Sequence, residues 1–324
     1  MGKIVVTGGA GFIGSCMVAW LNAQGYKDLI VVDHWDGDGL KRRNLTGKDY
    51  ISYYDKAEFL GLVLSGKAPR DVGCVFHMGA CSSTTGQDRD YYLKNNFDYS
   101  CHMARWALGA GARFIYASSA ATYGDGENGY SDSLDSIGRC KPLNYYGESK
   151  QMFDEWVLRE KLYDKVVGLK FFNVFGPNEY HKGDMKSVIA KSYDRVVQEG
   201  KMVLFKSHRP DYADGEQKRD FVYVKDVVDV MQFFMQEPSI NGIYNVGSGR
   251  ARSWNDLAFA LFAAVGKPPL IEYVPMPEVL RSKYQYFTQA DMSRLLKSGY
   301  DRPFTGLEEA VKDYVVYLKD RVAM

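Results

Sequence analysis

Thr7-Gly8-Gly9-Ala10-Gly11-Phe12-Ile13-Gly14 decides how the chain is read. It follows the apolar run Lys3 to Thr7 and leads into Phe12 to Gln24, where apolar residues recur at helical spacing. Gly25 then stands where a helix C-terminus takes a left-handed residue. A glycine motif between strand and helix has a physical use. Gly8 permits the tight turn, Gly11 lets a pyrophosphate approach the backbone, and Gly14 lets the helix pack closely, while the helix start offers N–H groups to the anion.

Working outward, Leu29 to Asp33, Cys74 to His77, Phe114 to Ala117 and Val166 to Phe172 read as further buried parallel strands alternating with helices. The expected fold is α/β, a Rossmann doubly wound parallel sheet with a smaller C-terminal α/β substrate lobe. Residues 1–177, with 220–250 returning to them, form the expected dinucleotide domain. Residues 178–324, mainly 178–219 and 251–324, form the expected substrate domain, including short strands such as Ile243 to Val246. His208 to Gln217 (HRPDYADGEQ) is expected to be a mobile surface loop near the ligand mouth.

Composition limits the alternatives. The 324 residues are 46% hydrophobic and 25% charged, which excludes a disordered or fibrous chain. A net charge of +1 provides no global field to recruit nucleic acid or an anionic membrane. The five cysteines form no CxxC pair and fit a reducing cytoplasm, so no metal site is expected. No leader sequence is read at the N-terminus, and the apolar run Leu257 to Val265 is far shorter than the roughly 20 residues of a membrane span.

Asp33 ends the second strand, where a carboxylate accepts hydrogen bonds from an adenosine ribose and favours NAD. Lys41, Arg42 and Arg43 follow closely and can embrace a 2′-phosphate, which favours NADP. Both cofactors stay open on these residues. Farther along, Tyr146 and Lys150 stand four apart on one helix face, and a nearby ammonium favours a phenolate. Ser118 and Ser119 lie at a strand's C-terminal end, where open α/β sheets bind ligands, and Ser119 can orient a substrate hydroxyl.

These motifs occur together with His77-Met78-Gly79-Ala80, Phe172-Asn173-Val174-Phe175-Gly176-Pro177 and Arg219-Asp220-Phe221-Val222-Tyr223-Val224. In this the chain resembles, over nearly its whole length, the extended short-chain dehydrogenase/reductase family, which oxidises, epimerises or dehydrates nucleotide sugars. Ala80-Cys81-Ser82-Ser83-Thr84-Thr85, His181-Lys182-Gly183-Asp184-Met185 and Lys283 to Asp291 resemble its ADP-heptose 6-epimerase branch.

That resemblance implies a bound NADP, with NAD as the alternative, and inversion at C6 of an ADP-heptose by two acid/base groups. Tyr146 and Lys182 would be the two, assisted by Ser119 and Lys150. Read from residue type alone, Lys182 is a loop lysine or a phosphate clamp. The resemblance places Gly8, Gly11, Phe12, Ile13, Gly14, Asp33, His34, Lys41, Lys56, Asn95, Lys150, Val174 and Lys182 along the cofactor, with Met78, Gly79, Ala80, Cys81 and Ser82 on its path.

By the same resemblance Ser82, Asn173, Asp184, Lys191, Phe205, Arg219 and Tyr284 face the substrate. Arg219 and Tyr284 can equally be a salt-bridging strand residue and a core aromatic. The resemblance also implies a homo-oligomer, a pentamer, working in lipopolysaccharide core synthesis. Four features depart from the branch: Asp184 replaces a small hydroxylated residue, Lys191 a histidine and Lys170 an arginine, and the loop from Lys206 to Lys218 is long. A hexose 4-epimerase, a 4,6-dehydratase and a non-enzymatic cofactor-binding protein are the competing readings.

Overall fold

The computed structural model describes residues 2–35, 37, 39–281 and 284–324. Seven parallel strands form its central sheet: β1 (Lys3–Thr7), β2 (Leu29–Asp33), β3 (Ser52–Asp55), β4 (Val72–His77), β5 (Arg113–Ser119), β6 (Val166–Phe171) and β10 (Gly242–Val246). Their spatial order is β10-β6-β5-β4-β1-β2-β3. This is a doubly wound Rossmann-like sheet, and its strand order reverses between β1 and β4, so a crevice opens at the C-terminal ends Thr7 and His77.

Two small sheets accompany it. One has the order β11-β9-β7, from Ala251–Ser253 (β11), Lys218–Tyr223 (β9) and Asn173–Phe175 (β7); the other pairs Ile271–Val274 (β12) with Met202–Phe205 (β8). The helices used below are α1 (Phe12–Ala23), α2 (Lys56–Leu64), α3 (Arg89–Tyr92), α4 (Tyr99–Gly109), α5 (Leu134–Ile137), α6 (Tyr145–Arg159) and α7 (Val188–Glu199).

Alternation of side chains across the pleat gives each sheet face its own core. Val5, Ile30, Val75, Phe114 and Tyr116 face one way with Phe153 and Trp156 of α6. Ile4, Val6, Val31, Phe76 and Ile115 face the other way, and their cluster continues without a break into Phe175, Ile189, Leu261 and Tyr314. The C-terminal residues thus share a core with one face of the sheet.

Helix ends follow local chemistry. Gln24 caps α1, and Gly25 follows at φ 85°, with Tyr26 N–H returning to the Leu21 carbonyl. Asn144 caps α6 by accepting from Gly147 N–H (2.8 Å), which fixes where Tyr146 and Lys150 begin their turn.

Two expectations need correction, and one strand was not expected. Ile243 to Val246, counted among the second lobe's short strands although 220–250 is assigned back to the first domain, is the last strand of the central sheet, because Gly242 to Val246 pair with Val167 to Phe171. Ser52 to Asp55, a half-buried edge strand with two adjacent tyrosines, lacks the apolar alternation that would announce it. The run Val166 to Phe172 breaks at Phe172, and Asn173–Phe175 leaves to pair with β9.

The loop from His208 to Gln217 is fastened to its surroundings. Ser207 N–H donates to Asp214 (2.8 Å), His208 N–H donates to the Tyr286 hydroxyl (2.9 Å), and Gly215 and Gln217 are buried.

Candidate active site

A cavity of about 670 Å³ opens at the sheet's reversal point. Gly8, Gly11, Phe12, Ile13, Gly14, Asp33, Lys41, Met78, Gly79, Ala80, Ser82, Ser119, Tyr146, Lys150, Asn173, Val174 and Lys182 all contribute to its wall. Sequence motifs separated by more than a hundred residues therefore converge on one space.

The glycines are required by contact. A Cβ on Gly8, which has φ +66°, would lie 2.6 Å from Gly79 Cα, so the loops after β1 and β4 meet backbone to backbone. A Cβ on Gly14 would fall 2.2 Å from the Gly8 carbonyl oxygen, whereas one on Gly11 would lie 3.0 Å from the same oxygen, a tight contact but a lesser clash. Helix α1 begins without a side-chain cap, which leaves its first turn to serve an anion. Such a cradle fits a dinucleotide pyrophosphate.

Gly14→Ala is expected to destabilise the protein by about 1–3 kcal/mol and to abolish dinucleotide binding. Gly11→Ala should lower dinucleotide affinity with a smaller loss of melting temperature. Thermal denaturation and equilibrium dialysis distinguish the two outcomes.

Asp33 performs two tasks. Its carboxylate accepts from Ala10 N–H (2.9 Å) and His34 N–H (2.7 Å), holding the glycine loop, and it pairs with the Lys41 ammonium. Arg42 lies 5.0 Å over the Trp35 ring, which itself stacks on Tyr53 at 4.2 Å. Lys41 thus lines the cavity beside Asp33, and the Arg42–Trp35–Tyr53 stack is not part of its wall.

The floor is a relay of single hydrogen bonds. Gly79 N–H donates to Thr7 Oγ1 (3.3 Å), which pairs with His77 Nδ1 (2.7 Å); His77 Nε2 meets Ser100 Oγ (2.9 Å), and Ser100 donates to the Asn96 carbonyl. Burial, aided by the Lys150 charge, pushes the His77 pKa down to about 3, so the ring is neutral. A neutral ring donates once and accepts once, as this relay needs.

Asn96, fully buried in the π-helical turn Leu93–Asp98, accepts from Cys81 N–H (2.8 Å) and donates to the Cys81 carbonyl (3.0 Å) and Ser149 (2.9 Å). It ties residues 80–82 to α6. The π turn is what aims it.

Tyr146 is half-buried on α6. Burial raises its pKa, while a hydrogen bond with Ser119 opposes the rise. Lys150 is expected to depress the phenol's pKa, but its ammonium is turned to the Ala117 carbonyl (2.7 Å), and Ser119 supplies the opposing contact instead. Burial brings the Lys150 pKa down to about 8.

Lys182 enters the same cavity from the 3₁₀ turn Tyr180–Met185, its Nζ 5.3 Å over the Phe12 ring. Gly183, at φ +51°, turns the chain away just after it. Burial lowers the Lys182 pKa, and the charge of Glu179 acts against that shift.

Several predicted residues lie outside the cavity wall. His34 is exposed and pairs with Asp55 (3.2 Å), Lys56 donates to Asn95 (2.7 Å), and Cys81 is held through its backbone by Asn96. Asp184 and Lys191 are exposed, and Phe205 ends β8 half-buried. Lys283 lies outside the described residues.

Arg219 and Tyr284 form a second cluster. The buried guanidinium sits 5.0 Å over Tyr284 and 5.7 Å over Trp254, whose indole N–H donates to the Tyr284 hydroxyl (2.9 Å). Its electrostatic neighbours are the phenols of Tyr284, Tyr130 and Tyr212, and burial lowers its pKa. A buried cation faced by phenols is prepared for an anionic ligand. Neither the salt-bridge nor the core-aromatic reading describes this pair.

Residues 4–247 match the NAD dependent epimerase/dehydratase family. The chain belongs to this family. Within the family it is 54% identical over 311 residues to the ADP-L-glycero-D-manno-heptose-6-epimerase of Nitratidesulfovibrio vulgaris, covering 96% of each chain. It is 43% identical over 323 residues to the enzyme of the same name from Alkalilimnicola ehrlichii, covering 99% of each. The crystal structure of Helicobacter pylori ADP-L-glycero-D-manno-heptose-6-epimerase superposes with a TM-score of 0.80 at 28% identity, over 98% of this chain and 96% of that one. Family membership could be read from the motifs; the Asn96 hub, the Asp33 clamp on Ala10 and the buried pair Asp154–Lys170 carry no motif signal.

Proposed function

We propose that the protein is an isomerase that interconverts ADP-D-glycero-β-D-manno-heptose and ADP-L-glycero-β-D-manno-heptose by inverting C6. The observation that carries this is the convergence of Tyr146 with Ser119, and of Lys182 from another element, on one cavity beside the dinucleotide cradle. High identity to named 6-epimerases along almost the full length supports the choice of sugar.

A nicotinamide dinucleotide bound in the cradle supplies reversible hydride acceptance. NADP is the proposed form: with Asp33 already paired to Lys41, the Lys41 ammonium in the cavity wall favours a 2′-phosphate over a bare ribose. Residues 1–177 and 220–250 hold the dinucleotide; 178–219 and 251–324 hold the nucleotide sugar. Arg219 grips the diphosphate, with Tyr284 beside it.

Inverting C6 by oxidation and re-reduction takes the hydroxyl proton on one face and returns it on the other, a task that two acid/base groups on opposite faces can serve. Tyr146, oriented by Ser119, serves the sugar hydroxyl on one face, and the Lys182 amine, favoured by burial, serves the other. Asn173, exposed at the cavity edge, orients the sugar. The unpaired cysteines fit a cytoplasmic enzyme supplying heptose for lipopolysaccharide.

Mass analysis of the purified protein should find NADP. Incubation with ADP-D-glycero-β-D-manno-heptose, followed by NMR at C6, should show both epimers. A dinucleotide-loaded protein that leaves the heptose unchanged while acting on a UDP-hexose would replace this reading with a 4-epimerase or dehydratase.

A further inference from the structure

Beneath the reacting residues lies a buried polar network that the chemistry above does not use. Asp154 stands one turn beyond Lys150 on α6 and is fully buried. Its carboxylate accepts from the Tyr116 hydroxyl (2.9 Å), Ser118 Oγ (2.7 Å) and Lys170 Nζ (2.6 Å). Lys170, equally buried, is the register partner of Ser118 across β5 and β6. It also donates to Thr122 Oγ1 (2.8 Å) and lies 5.1 Å over the Tyr123 ring.

The pattern of contacts is directional. Helix α6 grips Tyr116 and Ser118 through Asp154 and the Ala117 carbonyl through Lys150, three consecutive residues that run straight into Ser119. From the other side, Lys170 holds Thr122, whose hydroxyl donates to the Ser119 carbonyl (2.8 Å). Ser119 is therefore fixed both before and after itself, relative to the helix that carries Tyr146. A buried ion pair adds little net stability over apolar residues of the same volume, so stability alone does not account for it.

We propose that the Asp154–Lys170 pair is a positioning device for catalysis, locking the Ser119 turn against the Tyr146 helix and supplying the counter-charge for the Lys150 ammonium. This rests on the epimerase reading for its kinetic consequences, although not for its electrostatic one. The charged and titratable groups facing Asp154 are Lys150 on its own helix, Lys170 on β6, Tyr116 on β5, Tyr123 in the turn after Ser119 and Cys140 in the loop before α6. Those facing Lys150 are Asp154 and neutral His77. Burial brings Lys150 down to about 8, and Asp154 opposes that fall. Removing the carboxylate moves the Lys150 titration to lower pH.

Asp154→Asn and the double variant Asp154→Asn/Lys170→Met separate positioning from stability. Asp154→Asn should lower kcat at neutral pH on the order of ten- to a hundredfold with KM within about twofold, as small misplacements do. Its Lys150 side-chain NMR titration, assigned with Lys150→Arg, should move to lower pH. The double variant removes the orphaned ammonium and should regain the melting temperature while keeping both defects.

A double variant with wild-type kcat and a wild-type Lys150 titration would overturn the proposal, as would an Asp154→Asn protein whose Lys150 titration is unmoved. If the wild-type protein turns over no ADP-heptose, the epimerase reading fails, and the NMR titration still decides the counter-charge.

Discussion

Tyr146→Phe should reduce epimerisation by about 10²–10⁴-fold, the range that a positioned acid/base group contributes. The cavity explains why no neighbour substitutes. Ser119 is the group that holds the Tyr146 pKa down against burial, Lys150 is committed to the Ala117 carbonyl, and Lys182 approaches from a separate turn. Loss of one hydroxyl leaves the helix cap at Asn144 and the packing of Phe153 and Trp156 untouched. Its structural cost is one hydrogen bond, about 1 kcal/mol, so melting temperature and dinucleotide content should stay near wild type. An unimpaired rate in a folded, loaded variant would remove Tyr146 from the chemistry.

That residue was legible in the sequence because its spacing to Lys150 and its company of Ser119 and the glycine loop are local patterns. Local patterns also reveal β1, α1 and the buried parallel strands, whose apolar runs and helix signals need nothing from distant parts of the chain. The edge strand Ser52–Asp55 is different. Its pairing with β2 creates it, and neither face is buried enough to impose a pattern. The departure of Asn173–Phe175 from the central sheet likewise depends on β9, nearly fifty residues later.

Within the site, what was hidden is what joins elements to each other. Lys150 looks from sequence like a partner for the phenol, yet three dimensions give it a nearer acceptor on β5 and a counter-ion one helical turn away. Asn96 and His77 are ordinary residues by composition. A π turn and a neutral, fully buried ring make them the fastening of the cavity floor. Arg219 was ambiguous in the same way: only the surrounding phenols of Tyr284, Tyr130 and Tyr212 set it apart from a salt-bridged strand residue.

Lys182→Met should be the other severe loss, again about 10²–10⁴-fold in epimerisation, for a reason that differs from that for Tyr146. Desolvation favours the neutral amine, and a lowered pKa makes that amine available nearer neutral pH. The sign follows: the base form is present above the lowered pKa and is lost as pH falls through it, so Lys182 sets the acid limb of the wild-type rate profile. Glu179 limits the shift by attracting the ammonium, and Glu179→Gln should move that limb to lower pH. Methionine keeps the aliphatic packing over Phe12 while removing the amine, so dinucleotide content should be preserved. With Tyr146 intact, the variant should still exchange the substrate on one face, seen as single-turnover oxidation without release of the opposite epimer. Two other results are informative: loss of bound dinucleotide would make Lys182 a phosphate clamp, and normal turnover would eliminate the two-sided mechanism.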